Sequence, residues 1–294
     1  MQLVVFDGGR LGALDGEEIV ELTIHGPPDF RGPLHAVIAS NLSLASAVSG
    51  LRRRLAEVRL EAPLPQPGKI LAAPVNYISH KNEMRQHNTV AQLGVFLKAP
   101  SSVLEPGGTI RLPYTDQRTD QEAELAVVIG RAARNLPSDR ALEHVFGYMC
   151  ALDITVRSGE DRSTRKSFDT FTPLGPAVTT ADEVGNPGHL SIRSWVNGVL
   201  RQDASTKDMI YGVPELISYA SSIMTLLPGD VILTGTPAGV GPLSDGDAVT
   251  VEIEHVGRLD VTVSTAGAIG YATRPGRWGA VAEGIGEAAY PPPN

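Results

Sequence analysis

The sequence has little cysteine, no long apolar run and no excess of basic residues. Its one cysteine, Cys150, excludes an internal disulfide and a cysteine-rich zinc site, and its apolar neighbours predict a buried structural thiol. No apolar run approaches the roughly 20 residues that span a bilayer. The formal net charge of -8 opposes nonspecific nucleic-acid binding. We therefore expect a cytoplasmic protein without a membrane or nucleic-acid partner, since no secretory signal pattern is present either.

The 294 residues, 42% of them hydrophobic, suffice for one large globular domain with a small one beside it. Short alternating segments between glycine turns predict a small β-rich N-terminal domain over residues 1–65, and a proline-rich stretch marks its end. Strand-like runs predict a catalytic domain over residues 66–265, followed by an arm or tail over residues 266–294. The predicted fold class is α+β and β-rich.

The pattern of apolar residues predicts the main elements. One helix is predicted over residues 43–60, with Arg52, Arg53 and Arg54 on its solvated face, and another from Pro214 to Met224. The predicted strands cover residues 3–6, 19–22, 70–73, 94–98, 124–129, 189–196, 230–234 and 248–254.

Two glutamates one residue apart, Glu122 and Glu124, open an apolar run that predicts a buried strand. A strand's period of two points both carboxylates to one face, where buried anions need a cation. Asp153 is the third candidate ligand, with Arg157 and Lys166 as the cations around it. Ligands that are all oxygens favour Mg²⁺, Mn²⁺ or Ca²⁺. Two alternatives stay open: the glutamates form a solvated edge, or Asp153 is a cap or a partner of Arg157.

His80 and Glu83 are three residues apart and meet if their segment forms a helical turn. The carboxylate then orients the imidazole, and His80 draws a proton from water. The alternative is an exposed loop histidine beside an acid. The glycine-rich run 233–241 lacks the Gly-Lys-Ser/Thr ending of a phosphate loop. Thr236 and nearby backbone N–H groups bind a carboxylate there, or the glycines only permit a tight turn.

Together these segments resemble the fumarylacetoacetate hydrolase family over roughly residues 66–265. The resemblance implies a mixed β-roll or sandwich catalytic domain, a homodimer, and Mg²⁺ or another divalent ion held by Glu122, Glu124 and Asp153. The stretch 154–165 is shorter than in many members and lacks their usual aromatic residue and glutamine, so apart from Arg157 no substrate contact carries over there. The matching pieces are Asn76 to His80 with Glu83, Phe96 to Pro100, Asp120 to Leu125, Asp153 with Arg157, Lys166 to Asp169, Val196 to Gly198, Leu226 to Asp230, and Thr234 to Pro237.

The resemblance also implies a chemistry. In hydrolytic members a histidine–glutamate pair on a closing lid, matching His80 and Glu83, activates water that attacks a ketone and cleaves a carbon–carbon bond. Lys166 matches a lysine beside the substrate enolate. The residues that the resemblance places in substrate binding are Tyr77, Arg157, Gly235 and Thr236.

Three functions are compatible with these residues. The leading hypothesis is a metal-dependent hydrolase of a β-diketo acid of the acylpyruvate or fumarylpyruvate type. The first alternative is a decarboxylase or an isomerase (tautomerase) of a 2-oxo dicarboxylate such as oxaloacetate or a hydroxyhepta-diene-dioate, because Lys166 and the metal stabilise an enolate without water attack. The second is a non-catalytic module that captures carboxylates. In either enzyme we expect residues 77–93 to form a lid that is mobile without substrate.

Overall fold

The computed structural model describes residues 1–23, 29–40 and 48–275, and strands dominate it. In chain order the strands are β1 (Gln2–Phe6), β2 (Arg10–Asp15), β3 (Glu18–Leu22), β4 (Val48–Arg54), β5 (Leu60–Glu61), β6 (Ile70–Ala72), β7 (Phe96–Lys98), β8 (Val103–Leu104), β9 (Thr109–Arg111), β10 (Thr119–Gln121), β11 (Ala123–Ile129), β12 (Val145–Leu152), β13 (Thr155–Val156), β14 (Thr172–Thr180), β15 (Ser191–Val196), β16 (Val199–Ser205), β17 (Val231–Leu233), β18 (Gly241–Pro242), β19 (Ala248–Ile253) and β20 (Gly257–Ser264).

Short helices connect these strands. No helix among the described residues is long and apolar enough to cross a membrane. The α-helices are α1 (Pro33–Ser40), α2 (Ile78–Glu83), α3 (Val90–Leu93), α4 (Arg162–Arg165), α5 (Ala181–Val184) and α6 (Val213–Ile223). The 3₁₀ turns are Leu55–Glu57, Pro100–Ser102, Ser138–His144, Pro187–His189, Thr206–Asp208 and Tyr271–Thr273.

The largest sheet runs in the order β4-β3-β2-β1-β14-β12-β11-β17-β6-β7, with β5 beside β1 and β8 beside β14. β1 pairs antiparallel with β14, where Leu3 stands opposite Val178. The N-terminal strands therefore extend the same sheet that carries the strands of the predicted catalytic domain. The division of the chain at residue 65 stays a prediction.

A second sheet, of order β16-β15-β19-β20-β9, packs on one face of the first. Leu125 and Val127 of β11 belong to the same apolar cluster as Val251 of β19. Their neighbours along β11, such as Ala126, point to the other face and pack in the cluster that contains Leu34 of α1. β11 is buried on both faces, so the predicted strand-rich α+β sandwich is confirmed.

The helix predicted over residues 43–60 is wrong. Residues 43–47 lie outside the described part of the chain, and β4 follows directly as the edge of the largest sheet. β4 pairs with β3 so that Arg54 stands opposite Glu18, and Arg52 donates a 2.7 Å hydrogen bond to Glu18. Cross-strand pairing of this kind stabilises β4 as a strand, although Leu51 and the arginines after it also fit a helical pattern.

The other predicted elements fall where the sequence places them, within a few residues at their ends. The helix from Pro214 is α6, and Cys150 is a buried thiol on β12. Long strands that the sequence did not predict include β14, whose interior holds Pro173, Gly175 and Pro176. These residues disfavour strands locally, and pairing with β12 and β1 overrides that preference. Most of the predicted tail, residues 276–294, lies outside the described residues.

Candidate active site

Three acidic residues meet where an antiparallel strand pair passes from one sheet to another. β11 and β12 lie in the largest sheet, whereas β10 and β13 belong to a small sheet of order β13-β10-β18. Glu122 lies between β10 and β11, and Asp153 follows β12. The amide of Asp153 donates a 2.8 Å hydrogen bond to the Glu122 carbonyl, so the two residues stand opposite each other. Glu124 is two residues farther along β11, on the face that Glu122 shares.

These residues form the acid cluster (Glu122, Glu124 and Asp153). One carboxylate oxygen from each lies within 4.8 Å of the others, and all three side chains are buried. A solvated edge is therefore the wrong interpretation of the two glutamates. A divalent ion with ligand distances of about 2.0–2.6 Å reaches oxygens up to about 5 Å apart, so the donor set fits a hard cation.

A lysine ammonium already lies among these carboxylates. Lys166 Nζ donates a 2.7 Å hydrogen bond to Glu122 and a second one to Asp153, and it lies 5.3 Å from the centre of the Phe96 ring. Lys98, with a fully buried side chain, donates a 2.5 Å hydrogen bond to the other oxygen of Asp153. Asp153 therefore pairs with two lysines and not with Arg157. The site attracts cations, which supports the metal-binding interpretation.

Arg157 lies at the edge of the acid cluster and joins it to a fourth acid. Its guanidinium donates hydrogen bonds of 2.9 Å to Glu122 and 2.7 Å to Asp120. Arg118 donates a 2.7 Å hydrogen bond to Asp120 from the solvent side. The Arg157 guanidinium and the two carboxylates that it contacts, Asp120 and Glu122, therefore already have partners within the protein.

The two glutamates titrate in opposite directions. Burial opposes the charged form of Glu122, but Lys166 and Arg157 outweigh it and hold the pKa of Glu122 below its usual value. For Glu124, burial comes first and repulsion from Asp153 and Glu122 adds to it, so its pKa is raised well above the usual value. The raised pKa means that three buried carboxylates favour a shared proton on Glu124 unless a further positive charge compensates them, and a divalent cation would supply that charge.

The predicted histidine–glutamate pair lies on α2 above the same cavity. His80 is only 6% exposed, so it is not an exposed loop histidine. Its Nδ1 lies 3.0 Å from Glu83 Oε2, and the other oxygen of Glu83 accepts a 2.9 Å hydrogen bond from the amide of Gly239. Because a carboxylate only accepts, Nδ1 carries the hydrogen and Nε2 is left as the basic nitrogen. The mobility of the lid over residues 77–93 in the absence of substrate stays a prediction.

The glycine-rich run after β17 contacts the acid cluster directly. The amide of Gly235 donates a 2.6 Å hydrogen bond to Glu124. Gly235 has φ of +91°, and a Cβ there would lie 2.7 Å from the Cβ of Asn76, so the position requires glycine. Thr236 lines the cavity, but its hydroxyl donates a 2.9 Å hydrogen bond to the Ala123 carbonyl.

Tyr77, also predicted to bind substrate, is fully buried at the start of α2. Its hydroxyl has no hydrogen-bond partner among the described residues. Burial, together with the charges of Glu124 and Asp208, raises the pKa of Tyr77. The phenol therefore stays neutral and can only donate or accept a hydrogen bond. Its role in substrate binding, like those of Arg157, Gly235 and Thr236, stays a prediction.

Asp120 and Lys98 had no role assigned from the sequence, although both lie in segments that match the family. Asp120 lies two residues before Glu122, so extending the period of two by one step would have found it. Lys98 ends β7, and a lysine closing a short apolar strand in Phe96-Leu97-Lys98 is the signal that points to a buried cation. Its position under Asp153 depends on pairing of β7 with β6, which the local sequence does not specify.

The acid cluster and the lid enclose one cavity of about 70 Å³, several times the volume of a water molecule. Its lining consists of Ala73, Pro74, Val75, His80, Met84, Gln86, Phe96, Glu122, Glu124, Asp153, Arg157, Arg162, Arg165, Lys166 and Thr236.

Comparison with known proteins identifies the family. Residues 69–264 match the family model described as fumarylacetoacetate (FAA) hydrolase C-terminal. The chain is 43% identical over 284 residues to a maleylpyruvate hydrolase of Aquipseudomonas alcaligenes, covering 90% of this chain and 99% of that protein. It is 36% identical over 263 residues to a mitochondrial oxaloacetate tautomerase of Xenopus laevis, covering 83% and 82% of the two chains.

A solved structure shows the same relationship. The maleylpyruvate hydrolase of Sphingobium sp. SYK-6, in complex with manganese (II) ion and pyruvate, superposes with a TM-score of 0.81 at 40% sequence identity. The match covers 92% of this chain and 100% of that one. Sequence, fold and the buried acid cluster agree: the chain belongs to the fumarylacetoacetate hydrolase family.

Proposed function

We propose that this chain is a divalent-metal-dependent hydrolase that cleaves a carbon–carbon bond of a β-diketo acid, with maleylpyruvate-type acylpyruvates as substrates. The observation that carries the proposal is the buried acid cluster facing the His80–Glu83 pair across one cavity. The high identity to maleylpyruvate hydrolases over nearly the whole chain supports it.

Glu122, Glu124 and Asp153 would hold Mg²⁺ or Mn²⁺, with Ca²⁺ as a further candidate. When bound, the ion supplies Lewis-acid polarisation of the two oxygens of a 2-oxo acid. The manganese in the Sphingobium relative favours Mn²⁺ or Mg²⁺ over Ca²⁺.

Glu83, His80 and Lys166 each have a separate role in the reaction. Glu83 fixes the His80 ring, and Nε2 of His80 takes a proton from water as the hydroxyl adds to the distal ketone carbon. The carbon–carbon bond next to that carbon then breaks, and its electron pair passes to the 2-oxo acid fragment as an enolate. The Lys166 ammonium stabilises this negative charge. The proton that His80 took from water passes to the enolate carbon, which gives pyruvate and restores neutral His80, and the acyl fragment leaves as a carboxylic acid.

The direct test follows the diketo-acid absorbance of maleylpyruvate and acetylpyruvate with and without Mn²⁺. Wild type consumes substrate only with the ion, and His80→Ala and Glu122→Ala both lose activity by at least about 100-fold. Full activity in both variants would refute the proposal. Binding of 2-oxo acids without any product would indicate the non-catalytic module instead.

A second function, tautomerisation or decarboxylation of oxaloacetate, is favoured by one observation. Lys166 lies beside the acids that would hold the substrate, and enolate stabilisation needs no attacking water. The similarity to an oxaloacetate tautomerase supports this alternative. Enol–keto exchange or carbon dioxide release that persists in His80→Ala would assign the chain to this class.

We also propose a homodimer that acts in the cytoplasm in the breakdown of aromatic compounds. The family resemblance supports the dimer, and the similarity to maleylpyruvate hydrolases supports the catabolic role. Light scattering after size-exclusion chromatography tests the first point, since a mass near 31.1 kDa would mean a monomer.

A further inference from the structure

The cations that line the cavity fall into two groups. Lys98, Arg157 and Lys166 each form ion pairs with the acid cluster or with Asp120. Arg162 and Arg165 line the same cavity and differ from the first group. Among the described residues, no carboxylate lies within ion-pair distance of either guanidinium. Arg165 donates one long hydrogen bond of 3.5 Å, to the carbonyl of Val156.

This arrangement is energetically unfavourable in the protein alone. Arg165 is half-buried, and burial together with repulsion from Arg157 and Arg162 lowers its pKa, with only partial compensation by Glu122. Its guanidinium nevertheless remains charged at neutral pH. A partly desolvated cation without a counter-ion gains when an anion enters the cavity.

The helix that carries these arginines sets their place relative to the acid cluster. Arg162 and Lys166 are four residues apart, and the amide of Lys166 donates a 3.1 Å hydrogen bond to the carbonyl of Arg162. They therefore lie on one face of α4, about one turn or 5.4 Å apart. A substrate whose 2-oxo acid end lies at Lys166 thus meets Arg162 and Arg165 several bonds farther along its chain.

We propose that Arg162 and Arg165 bind the second carboxylate of a diketo diacid and make the enzyme selective for diacids over acylpyruvates with an uncharged acyl end. This inference rests on the proposed function for its substrate. It assigns a specificity subsite to the stretch 154–165, where the family resemblance supplies no substrate contact apart from Arg157. Guanidinium groups suit the role because they bind carboxylates through two parallel hydrogen bonds.

The kinetic test compares maleylpyruvate, which carries the second carboxylate, with acetylpyruvate, which lacks it, in the Mn²⁺-loaded protein. The ratio of their kcat/KM values is measured in wild type, Arg162→Gln, Arg165→Gln and the double variant. We expect each single change to lower the ratio by about tenfold and the double change by about 100-fold, as for lost hydrogen bonds between charged groups. Arg165→Lys should give a ratio between those of wild type and Arg165→Gln, because lysine keeps the positive charge but lacks the two parallel donors of a guanidinium.

A control removes one positive charge elsewhere: Arg53→Gln, on the exposed edge strand β4, leaves the ratio unchanged. Melting curves verify that each variant is folded. Equal losses on both substrates would overturn the proposal, because the arginines would then serve the shared 2-oxo end or the fold. An unchanged ratio in the double variant would overturn it as well.

A binding measurement separates this inference from the proposed function. Calorimetry of the Mn²⁺-loaded protein compares 2-oxoadipate with 2-oxohexanoate, which has the same chain length but no terminal carboxylate. We expect tighter binding of the diacid in wild type and about a 100-fold loss of that preference in the double variant. If the protein prefers the diacid in binding but turns over neither diketo acid, the hydrolase proposal is refuted and the subsite proposal stands. If it turns over the diketo acids but does not prefer the diacid in binding, only the subsite proposal is refuted.

Discussion

The acid cluster and the lid lie on opposite sides of one cavity and are built in different ways. The cluster lies at the junction of two sheets, and each of its side chains is fixed by buried partners distant in sequence, such as Lys98 beneath Asp153. The lid pair is local: His80 and Glu83 are three residues apart on α2, and Glu83 is 30% exposed. The comparison indicates that changes in the cluster alter both folding and function, whereas changes in the lid alter mainly function.

The largest expected effect on stability comes from breaking the pair between Asp153 and Lys98. Asp153→Asn leaves Lys98 with a buried, uncompensated charge, and we expect it to lower the free energy of unfolding by about 3–5 kcal/mol. Urea denaturation measures this loss. The double variant Asp153→Asn/Lys98→Met should recover much of the stability but no activity. If the stability does not recover, the unpaired charge of Lys98 is not the cause of the loss in Asp153→Asn.

The lid supplies the contrasting change. Glu83→Gln keeps an oxygen that accepts from Gly239 but removes the charge that stabilises protonated His80. We expect kcat to fall by about 100-fold and the free energy of unfolding to change by less than about 0.5 kcal/mol. A stability loss as large as that of Asp153→Asn would contradict the difference between the two regions.

Gly235 lies where the two regions touch, and a methyl group there acts on the cluster side. Gly235→Ala forces a non-glycine residue to φ near +91° and places its Cβ against Asn76, so we expect a loss of about 2 kcal/mol in stability and weaker metal binding. Gly241→Ala is the matched control, since nothing lies within 4 Å of its Cβ. Equal melting temperatures for the two variants would count against the assigned contact.

The smallest expected effect is on the pH dependence of the metal-free protein. The raised pKa of Glu124 adds stability that is complete below its usual value of 4.5 and is lost as pH rises through the folded-state pKa. The lowered pKa of Glu122 acts in the opposite sense, and only at more acidic pH. Above pH 5 we therefore expect the free energy of unfolding in chelator to fall as pH rises.

Two comparisons isolate Glu124 as the cause of that fall. Saturating Mn²⁺ should remove it, because the ion replaces the proton between the carboxylates. Glu124→Gln in chelator should show a flatter profile between pH 5 and pH 8, measured by urea denaturation. A profile identical to that of wild type would exclude Glu124 as the titrating group.

The sequence predicted much of this site because its signals are short-range. The period of two placed Glu122 and Glu124 on one face, and the spacing of three brought His80 to Glu83. Asp153 entered as an acid in an apolar run, but its place opposite Glu122 depends on the β11–β12 register, which is a long-range property. The family resemblance, rather than local chemistry, joined the three acids into one site.

Local sequence patterns could not predict other features of the molecule, because these depend on contacts between residues that are distant in sequence. Leu51 of β4 and Leu55, which directly follows the strand, have helical spacing, and only pairing with β3 selects the strand. Lys98 gave a weak signal because its partner Asp153 is 55 residues away. Arg162 and Arg165 were part of a stretch without a matching motif, and their shared cavity with Lys166 emerged only from the folded chain.

Calorimetric titration of Mn²⁺ into chelator-treated protein is the most direct test of the central claim, that the acid cluster binds one divalent ion. Repeating it in buffers of different ionisation enthalpy counts the protons released. We expect one ion per chain, release of protons on binding, and loss of binding by at least about 100-fold in Glu122→Gln. Absence of binding in wild type, or undiminished binding in that variant, would contradict the account.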